Sequence, residues 1–330
     1  MGGRSGPRFA VPLAIGSALL LSLFTVYLHA KELGRDYIDA YQIPRHLEML
    51  AGHAGNPWQY RMLSAWIVEA AHQLCGALHL PQPLIVAFFA VRVLQEALMF
   101  VVAWRYWGAL GLGGAETLMG LAVLGWSVSY STHGSDLQFN TYFDVLFYLL
   151  AALAVLRGRV GWVVPITLLA ALNRETSGFI PLLPVVAGWD AAPEARARAL
   201  RVGLIGVAVW VIVFVGLRLA YGPQHLILPY GHRLGFDLLS YNLGRSRTWI
   251  QLLGTFSIVP VLALMAYRQW PAPLRRFFWL VVPAWFLVHW VGAVMEETRL
   301  LLVPMALVFV PGALLLLRGD AAAPRGAATA

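Results

Sequence analysis

The chain has 330 residues, of which 59% are hydrophobic and 12% are charged, whereas about 25% of residues are charged in an ordinary soluble domain. With a mean hydropathy of +0.69, this composition excludes a typical soluble enzyme and predicts one polytopic, all-α membrane domain over residues 1–318. The net charge of +8 does not indicate a nucleic-acid partner, because arginines gather beside membrane spans for topological reasons. A lone Cys75 excludes an internal disulfide and a cysteine-based metal site.

Membrane-spanning helices are predicted wherever about 20 mostly apolar residues follow one another. The first such stretch follows two arginines and is interpreted as a retained helix, because no small-residue cleavage site follows it as in a signal peptide. In chain order, the eight predicted spans are residues 9–29, 83–104, 115–131, 139–156, 202–221, 249–267, 277–294 and 298–317.

Two further segments are predicted to be helical without forming full spans. Residues 61–80 carry several charged and histidine side chains, which favours an amphipathic helix at the membrane surface. Residues 160–189 are interrupted by the polar run 173–178, which predicts a broken hairpin of two half-length helices with a polar tip. The remaining predicted segments are a first outer loop, a later outer loop and a disordered cytoplasmic tail: residues 31–60, 222–248 and 319–330.

The charges of the connecting segments predict the orientation of the chain. One set of connections is rich in arginine and poor in acids, and the positive-inside rule assigns this set to the cytoplasm. The N-terminus and the C-terminus are then cytoplasmic, and the acidic loops face the outside of a bacterial inner membrane. The arginines of the cytoplasmic set are Arg105, Arg157, Arg159, Arg196, Arg198, Arg201, Arg268, Arg275, Arg276, Arg318 and Arg325.

Two carboxylates follow the first span. Asp36 and Asp39 lie three residues apart, so a helix would place both on one face. A carboxylate at the membrane surface can serve as a general base for an acceptor hydroxyl. The alternative is a solvated loop in which these acids balance Lys31 and Arg35.

Three arginines on the predicted outer side are candidates for binding phosphate, because a guanidinium group matches the oxygens of a phosphate. Arg61 follows an aromatic turn and alternatively anchors the chain at the interface. Arg174 lies beside Glu175 at the hairpin tip. A charged residue within a membrane is expensive, which favours a functional role over the alternative that the pair only caps the two half-length helices. Arg299 follows Glu297 at the start of the last span, where a charged helix cap is the alternative.

Other polar residues are assigned to structure. Arg92 and Glu96 lie four residues apart in a span and are expected to neutralise one another. His289 is expected to pack in the core, because no second His or Cys stands at metal-ligand spacing. Asp136 and Asp144 flank an outer turn, and Asp144 faces either a cavity or a buried partner.

The arrangement resembles the GT-C superfamily of integral-membrane glycosyltransferases, which use polyprenyl-phosphate-linked sugars. Four short patterns carry the resemblance: an acidic outer loop after the first span, a turn before an interfacial helix, an Arg-Glu-Thr element before a proline-containing helix, and an acid-x-Arg pattern opening a late span. In this sequence they are residues 36–41, 56–61, 173–184 and 297–304.

The resemblance implies a fold, an activity and a set of site residues. Asp36 or Asp39 would be the catalytic base that activates the acceptor. The residues that would bind the substrate are Tyr41, Arg61, Arg174, Glu175, Glu297 and Arg299. The partners would be a polyprenyl-phosphate-sugar donor, membrane lipids and a lipid, glycan or protein acceptor of the cell envelope. The sequence indicates no cofactor and no metal site, although a divalent metal is compatible with it.

Two other functions fit the same sequence. A transporter or lipid flippase also uses broken helices, although it should show two related halves and polar residues through its midplane. A non-catalytic assembly subunit related to these transferases would tolerate alanine at each outer Asp and Arg.

Overall fold

The computed structural model describes residues 10–132, 136–137 and 139–317, and these residues form helices joined by short connections, without a named strand. The predicted tail 319–330 lies outside the described residues. The α-helices are α1 Ala10–Tyr37, α2 Ile43–Ala51, α3 Met62–Ala77, α4 Pro83–Ala109, α5 Gly114–Tyr130, α6 Phe139–Leu156, α7 Val163–Asn173, α8 Leu183–Ala187, α9 Pro193–Tyr221, α10 Phe236–Gly244, α11 Ser246–Phe256, α12 Val259–Met265, α13 Ala272–Gly292, α14 Leu302–Pro304 and α15 Val310–Leu316.

Within the described residues, six helical stretches are long and apolar enough to cross a membrane. The pair α11 and α12, bent by 60°, adds a seventh if it counts as one span. The prediction of a membrane-embedded helical protein is therefore confirmed, while the number of spans is six or seven by this criterion and not eight. The predicted span that does not meet the criterion is residues 115–131, which corresponds to α5, a helix of 17 residues. The six stretches are Val11–Ala51, Pro83–Ala109, Phe139–Leu156, Pro193–Tyr221, Ala272–Gly292 and Thr298–Leu316.

Helices α1 and α4 run antiparallel along their length. The Ser22 hydroxyl donates to the Val93 carbonyl oxygen at 2.6 Å, and the Arg35 guanidinium donates to the Gln82 side chain at 2.5 Å. The chain between Arg35 and Gln82 therefore leaves and re-enters the bundle at the same end. Helix α3 lies within this segment. Because the chain returns to the same end, α3 does not count as a crossing of the bundle, and the later helices keep the directions that the charge pattern predicts.

The predicted first outer loop, residues 31–60, is largely helical, which corrects the sequence-based interpretation. Helix α1 continues to Tyr37, and a π-helical turn, Ile38–Gln42, joins it to α2. The reason is that apolar residues recur through this segment, and the side chains of Ile38 and Met49 are buried against the bundle.

Helices α6 and α15 lie at the centre of the bundle. Most of the residues of Phe139–Leu156 and of Thr298–Leu316 are buried, whereas few of those of α9 are. The peripheral helices expose apolar faces, as lipid-facing helices do. Tyr106 and Trp107 of α4 donate hydrogen bonds to the carbonyl oxygens of Leu307 and Ala306, both at 2.9 Å. These bonds provide partners for two carbonyl oxygens of the irregular π-helical turn Met305–Phe309.

A charged pair is buried between α1, α4 and α6. The Arg92 guanidinium lies 2.8 Å from the Glu96 carboxylate, and both side chains are almost completely buried. The Thr25 hydroxyl donates to Glu96, and the guanidinium carbon lies 3.1 Å from the centre of the Tyr142 ring. The predicted neutralisation of Arg92 by Glu96 is confirmed.

The two ends of the bundle differ in charge. We call the end at which α1 ends and α4 begins the pocket end, and the opposite end the distal end. The distal end contains the connections from α4 to α5, from α6 to α7, from α8 to α9 and from α12 to α13. The described arginines in or beside these connections are Arg105, Arg157, Arg159, Arg196, Arg198, Arg201, Arg268, Arg275 and Arg276.

Candidate functional site

The broken hairpin supplies the first element of the site. Helix α7 ends at Asn173, Arg174 is extended, and a 3₁₀-helix, Glu175–Leu182, leads back to α8. The Asn173 amide donates to the carbonyl oxygen of Asn140 at 2.8 Å. The Thr176 hydroxyl donates to Asp144 at 2.7 Å, and Asp144 lies 3.6 Å from the guanidinium of Arg174. Asp144 therefore faces buried partners, and the tip is held rigidly with the Arg174 side chain projecting from it.

The turn before α3 supplies the second element. Gln59 accepts a hydrogen bond from the Ala54 N–H at 2.9 Å and donates to the Met49 carbonyl oxygen at 3.0 Å. These bonds hold the turn that contains Trp58. The centre of the Trp58 ring lies 4.5 Å from the guanidinium carbon of Arg45 and 5.7 Å from that of Arg61. The ring therefore holds two cationic side chains side by side, because a guanidinium is attracted to an aromatic face.

The segment between α13 and α14 supplies the third element. Asn242 of α10 donates to the carbonyl oxygen of Ala293 at 2.8 Å and accepts from the Met295 N–H at 2.9 Å. These bonds position the short loop that precedes Glu297. Arg299 then donates to the Glu297 carboxylate at 2.7 Å, and only 3% of the Arg299 surface is exposed.

These elements enclose one cavity at the pocket end, which we call the arginine pocket. Its volume is about 340 Å³, within the range typical of small-molecule sites. Four guanidinium groups and two carboxylates line it, together with aromatic and apolar side chains. The lining residues are Tyr37, Arg45, Pro57, Trp58, Arg61, Asp136, Arg174, Ile227, Leu228, Pro229, Tyr230, Gly292, Ala293, Val294, Glu297, Arg299 and Leu300.

Two of the four arginines have unused hydrogen-bonding capacity. Arg174 and Arg299 are 6% and 3% exposed. Among the described residues, the Nε atom of Arg174 and the Nε and Nη1 atoms of Arg299 have no hydrogen-bond partner. A buried donor without a partner is costly, so these N–H groups indicate a ligand with several acceptor oxygens.

Like Arg174 and Arg299, the other two arginines lie beside acids. Arg61 donates to Glu175 through two nitrogens, at 3.1 and 2.9 Å, so that Glu175 lies behind the pocket and positions Arg61. Arg45 forms an ion pair with Asp136. Two of the four partner acids, Glu175 and Asp144, do not line the cavity, so the surface that faces a ligand carries four guanidinium groups and two carboxylates.

A strap, which we define as residues 225–231, covers one side of the pocket. The Asn56 N–H donates to the carbonyl oxygen of His225 at 2.8 Å, and the Ile227 N–H donates to that of Asn56 at 2.9 Å. Tyr230 of the strap lines the pocket. Burial, together with the carboxylates of Glu297 and Glu296, raises the pKa of the Tyr230 phenol. The phenol therefore keeps its proton at neutral pH and can donate a hydrogen bond.

The structure brings together four of the residues that the sequence predicts as a site: Arg61, Arg174, Glu297 and Arg299. Glu175 lies directly behind these residues in contact with Arg61, and the remaining predicted residues lie outside the pocket. Asp36 and Asp39 are exposed and do not line the pocket, and Asp39 is paired with Arg35 at 2.6 Å. Tyr41 is 56% exposed, and its ring centre lies 4.9 Å from that of Tyr37, which does line the pocket.

Sequence reasoning missed Arg45 as a pocket residue and treated Asp136 as a minor residue of an outer turn. Arg45 lies one helical turn after Tyr41, and its role becomes visible only when the segment is interpreted as a helix continuing from α1. Asp136 is an acid in a short connection between two apolar helices, a pattern that marks it as a candidate. Its pairing with Arg45 joins segments 91 residues apart.

No metal site is indicated in the part of the chain that the structure describes, where no three His, Cys, Asp or Glu side chains are grouped to hold an ion. His289 Nδ1 donates a hydrogen bond to the Trp285 carbonyl oxygen at 2.7 Å, within the core. In comparisons with known proteins, no family model, no curated protein and no solved structure matches this chain.

Proposed function

We propose that the protein is a membrane glycosyltransferase of the GT-C type, which transfers a sugar from a polyprenyl-phosphate donor to a lipid, glycan or protein acceptor. The observation that carries the proposal is the convergence of four arginines on one cavity at one end of an apolar helical bundle. Two of these arginines have buried N–H groups without a partner among the described residues. A phosphate group attached to a lipid chain supplies the oxygens that such groups require.

The proposed reaction needs positioning and charge stabilisation. The acceptor oxygen attacks the anomeric carbon of the sugar while the bond from that carbon to the phosphate oxygen breaks. The acceptor proton passes to a carboxylate, and the polyprenyl phosphate leaves with its charge held by the arginines. Fixed cationic donors stabilise such a leaving group more in the transition state than in the ground state.

Within this proposal, Glu297 is the base that accepts the acceptor proton. Glu297 and Asp136 are the two acids that line the arginine pocket. The Glu297 side chain is 27% exposed, so an acceptor can reach it, whereas the Asp136 side chain is 4% exposed and paired with Arg45. Asp36 and Asp39 are the bases that the family resemblance implies, and they remain a competing prediction.

The proposal also assigns an orientation. The arginine-rich distal end would face the cytoplasm of a bacterial cell, and the pocket would open on the outer side of the inner membrane. A lipid-linked donor and an acceptor of the cell envelope would meet there.

The donor part of the proposal is tested by the binding of farnesyl phosphate to the purified protein in nanodiscs. We expect Arg299→Gln to weaken binding about tenfold to hundredfold, because a charged hydrogen bond contributes about 1.5–3 kcal/mol. Arg105→Gln at the distal end is the matched control and should bind like the unaltered protein. Equal affinities in the two variants would contradict a donor site in the arginine pocket.

The enzymatic part needs a transfer assay. The protein is incubated with polyprenyl-phosphate-linked hexoses and pentoses and with extracted envelope lipids, and the release of free polyprenyl phosphate is measured by mass spectrometry. We expect release from at least one donor, abolished in Arg299→Gln. Binding of farnesyl phosphate without release from any donor would indicate a carrier or a non-catalytic subunit and would exclude the transferase.

A further inference from the structure

A second cavity lies beside the arginine pocket at the same end of the bundle. We call it the aromatic cleft, and its volume is about 560 Å³. It lies at α10 and the residues before it, and its lining comprises His232, Asp237, Ser240, Tyr241, Gly244 and Arg245. None of these residues is used by the proposed transfer chemistry.

Three aromatic rings cluster at this cleft, those of His232 and Tyr241 in its lining and that of Tyr230 beside it. The ring centres of His232 and Tyr241 are 4.1 Å apart, and the ring of Tyr230 lies 6.5 Å from that of Tyr241. Tyr230 has a φ of +50°, a left-handed conformation that non-glycine residues rarely adopt and that costs about 1 kcal/mol or more. The fold thus holds Tyr230 in a strained conformation while 55% of its surface stays exposed.

The charged groups of the cleft are paired with one another. Arg245 lies 2.9 Å from Glu296, which also contacts Arg247 at 2.5 Å. The Asp237 carboxylate accepts a hydrogen bond from the Arg233 N–H at 2.8 Å and lies 3.3 Å from His232 Nδ1. The lining itself contains one acid and one arginine, so an uncharged ligand suits it.

The ligand class follows from these features. The C–H face of a sugar ring packs against aromatic rings through dispersion, and its hydroxyls bond to carboxylate, hydroxyl and guanidinium groups. The aromatic cluster beside Asp237, Ser240 and Arg245 offers both kinds of contact.

The cleft and the pocket are joined through shared segments. Tyr230 lines the arginine pocket and lies next to Tyr241 of the cleft. Glu296, which is paired with Arg245 of the cleft, directly precedes Glu297 of the pocket. A ring seated in the cleft would therefore lie beside the pocket that contains Glu297.

We propose that the aromatic cleft binds a neutral sugar unit of the acceptor. The assignment to the acceptor rests on the proposed transferase function, whereas the binding of a neutral sugar does not. The proposal restricts the acceptor to a glycan or a glycolipid, because a protein or a simple lipid acceptor would not need a site for a sugar ring.

The test is saturation-transfer NMR on the protein in nanodiscs with a panel of methyl glycosides of neutral hexoses and pentoses. We expect at least one glycoside to bind, and Tyr241→Ala to weaken its binding about threefold to tenfold, the usual effect of losing one stacked ring. Asp237→Asn should weaken binding as well. This substitution keeps the size of the side chain, which is exposed, so it should not disturb the fold. Tyr27→Ala is the matched control, since Tyr27 is 61% exposed on α1.

Two results would overturn the proposal: no binding by any glycoside of the panel, or unchanged binding in both Tyr241→Ala and Asp237→Asn. Arg299→Gln separates this proposal from that of the arginine pocket. It should weaken binding of farnesyl phosphate about tenfold to hundredfold while binding of the glycoside is unchanged. If farnesyl phosphate fails to bind the unaltered protein but the glycoside binds in a Tyr241-dependent way, the donor site is wrong and the sugar site stands.

Discussion

Single guanidinium groups and their acidic neighbours determine what the arginine pocket can bind. Arg61 is engaged by Glu175 through two nitrogens, so it is positioned before any ligand arrives. Arg299 uses one nitrogen for Glu297 and has two further nitrogens without a partner among the described residues. A phosphate can bind these two nitrogens while the third keeps its contact with Glu297.

The base can be identified by three conservative substitutions. We expect Glu297→Gln to lower the transfer rate about 10²- to 10⁴-fold, the usual contribution of general base catalysis. The double variant Asp36→Asn with Asp39→Asn should keep most of the activity, because both side chains are exposed outside the pocket. The measurement is the rate of polyprenyl phosphate release. The reverse pattern would assign the base to the segment that follows the first span.

The buried pair of Arg92 and Glu96 makes a separate prediction about stability. Glu96→Leu should destabilise the protein by about 3–5 kcal/mol, because Arg92 is then left as an unpaired buried charge. Adding Arg92→Leu should recover much of this loss, since both charges are then gone. Thermal unfolding in detergent measures both variants. A double variant that is less stable than Glu96→Leu would show that the pair contributes more than mutual neutralisation.

At the scale of elements, close packing of α9 against the broken hairpin positions the tip that carries Arg174. A Cβ atom on Gly206 would lie 2.9 Å from the Cβ of Pro181, and one on Gly203 would lie 3.0 Å from the Pro181 carbonyl oxygen. Glycine at these two positions lets the helix approach the 3₁₀-helix, as small residues do between membrane helices. The backbone of the tip is therefore set by contacts on the side away from the pocket.

This packing predicts an effect at a distance. Gly206→Val should displace the hairpin, cost about 1–3 kcal/mol of stability and weaken farnesyl phosphate binding several-fold without changing a pocket residue. Gly216→Val on the same helix is the matched control, because a Cβ atom there meets nothing within 4 Å. Binding and thermal unfolding are measured for both. Identical binding in the two variants would show that the hairpin position does not matter for the ligand.

At the scale of the whole molecule, the bundle separates two kinds of charge. The arginines of the distal end accompany the connections between helices, while four of those at the pocket end lie beside carboxylates and line one cavity. Since the positive-inside rule acts on short connections, the distal end is predicted to be cytoplasmic.

This orientation can be measured by labelling cysteines with a membrane-impermeant maleimide in intact cells, after Cys75 has been replaced by serine. Leu234 is 50% exposed at the pocket end, and Ala191 is exposed at the distal end. We expect Leu234→Cys to be labelled in intact cells and Ala191→Cys only after the cells are lysed. The opposite result would place the pocket in the cytoplasm.

Much of the architecture could be predicted from the sequence because apolar runs and connecting charges are local signals. The apolar runs predicted the helices that cross the bundle, and the polar run 173–178 predicted the break at Arg174. The prediction of a loop for the segment after the first span was wrong. This segment mixes charged and apolar residues, and it forms a helix because the bundle covers its apolar face. Fewer helices than predicted meet the length and composition criterion for a span, because α5 is short and α11 and α12 are bent.

The sequence by itself determined that the chain is helical and embedded in a membrane, because hydropathy and helix length depend only on neighbouring residues. Which polar residues share a site was decided by the tertiary structure. Arg61, Arg174 and Arg299 were candidates from their local contexts, yet only packing brings them into one cavity with Arg45 and leaves Asp39 outside it. The physical reason is that convergence depends on the contacts between helices, which join residues more than 100 positions apart.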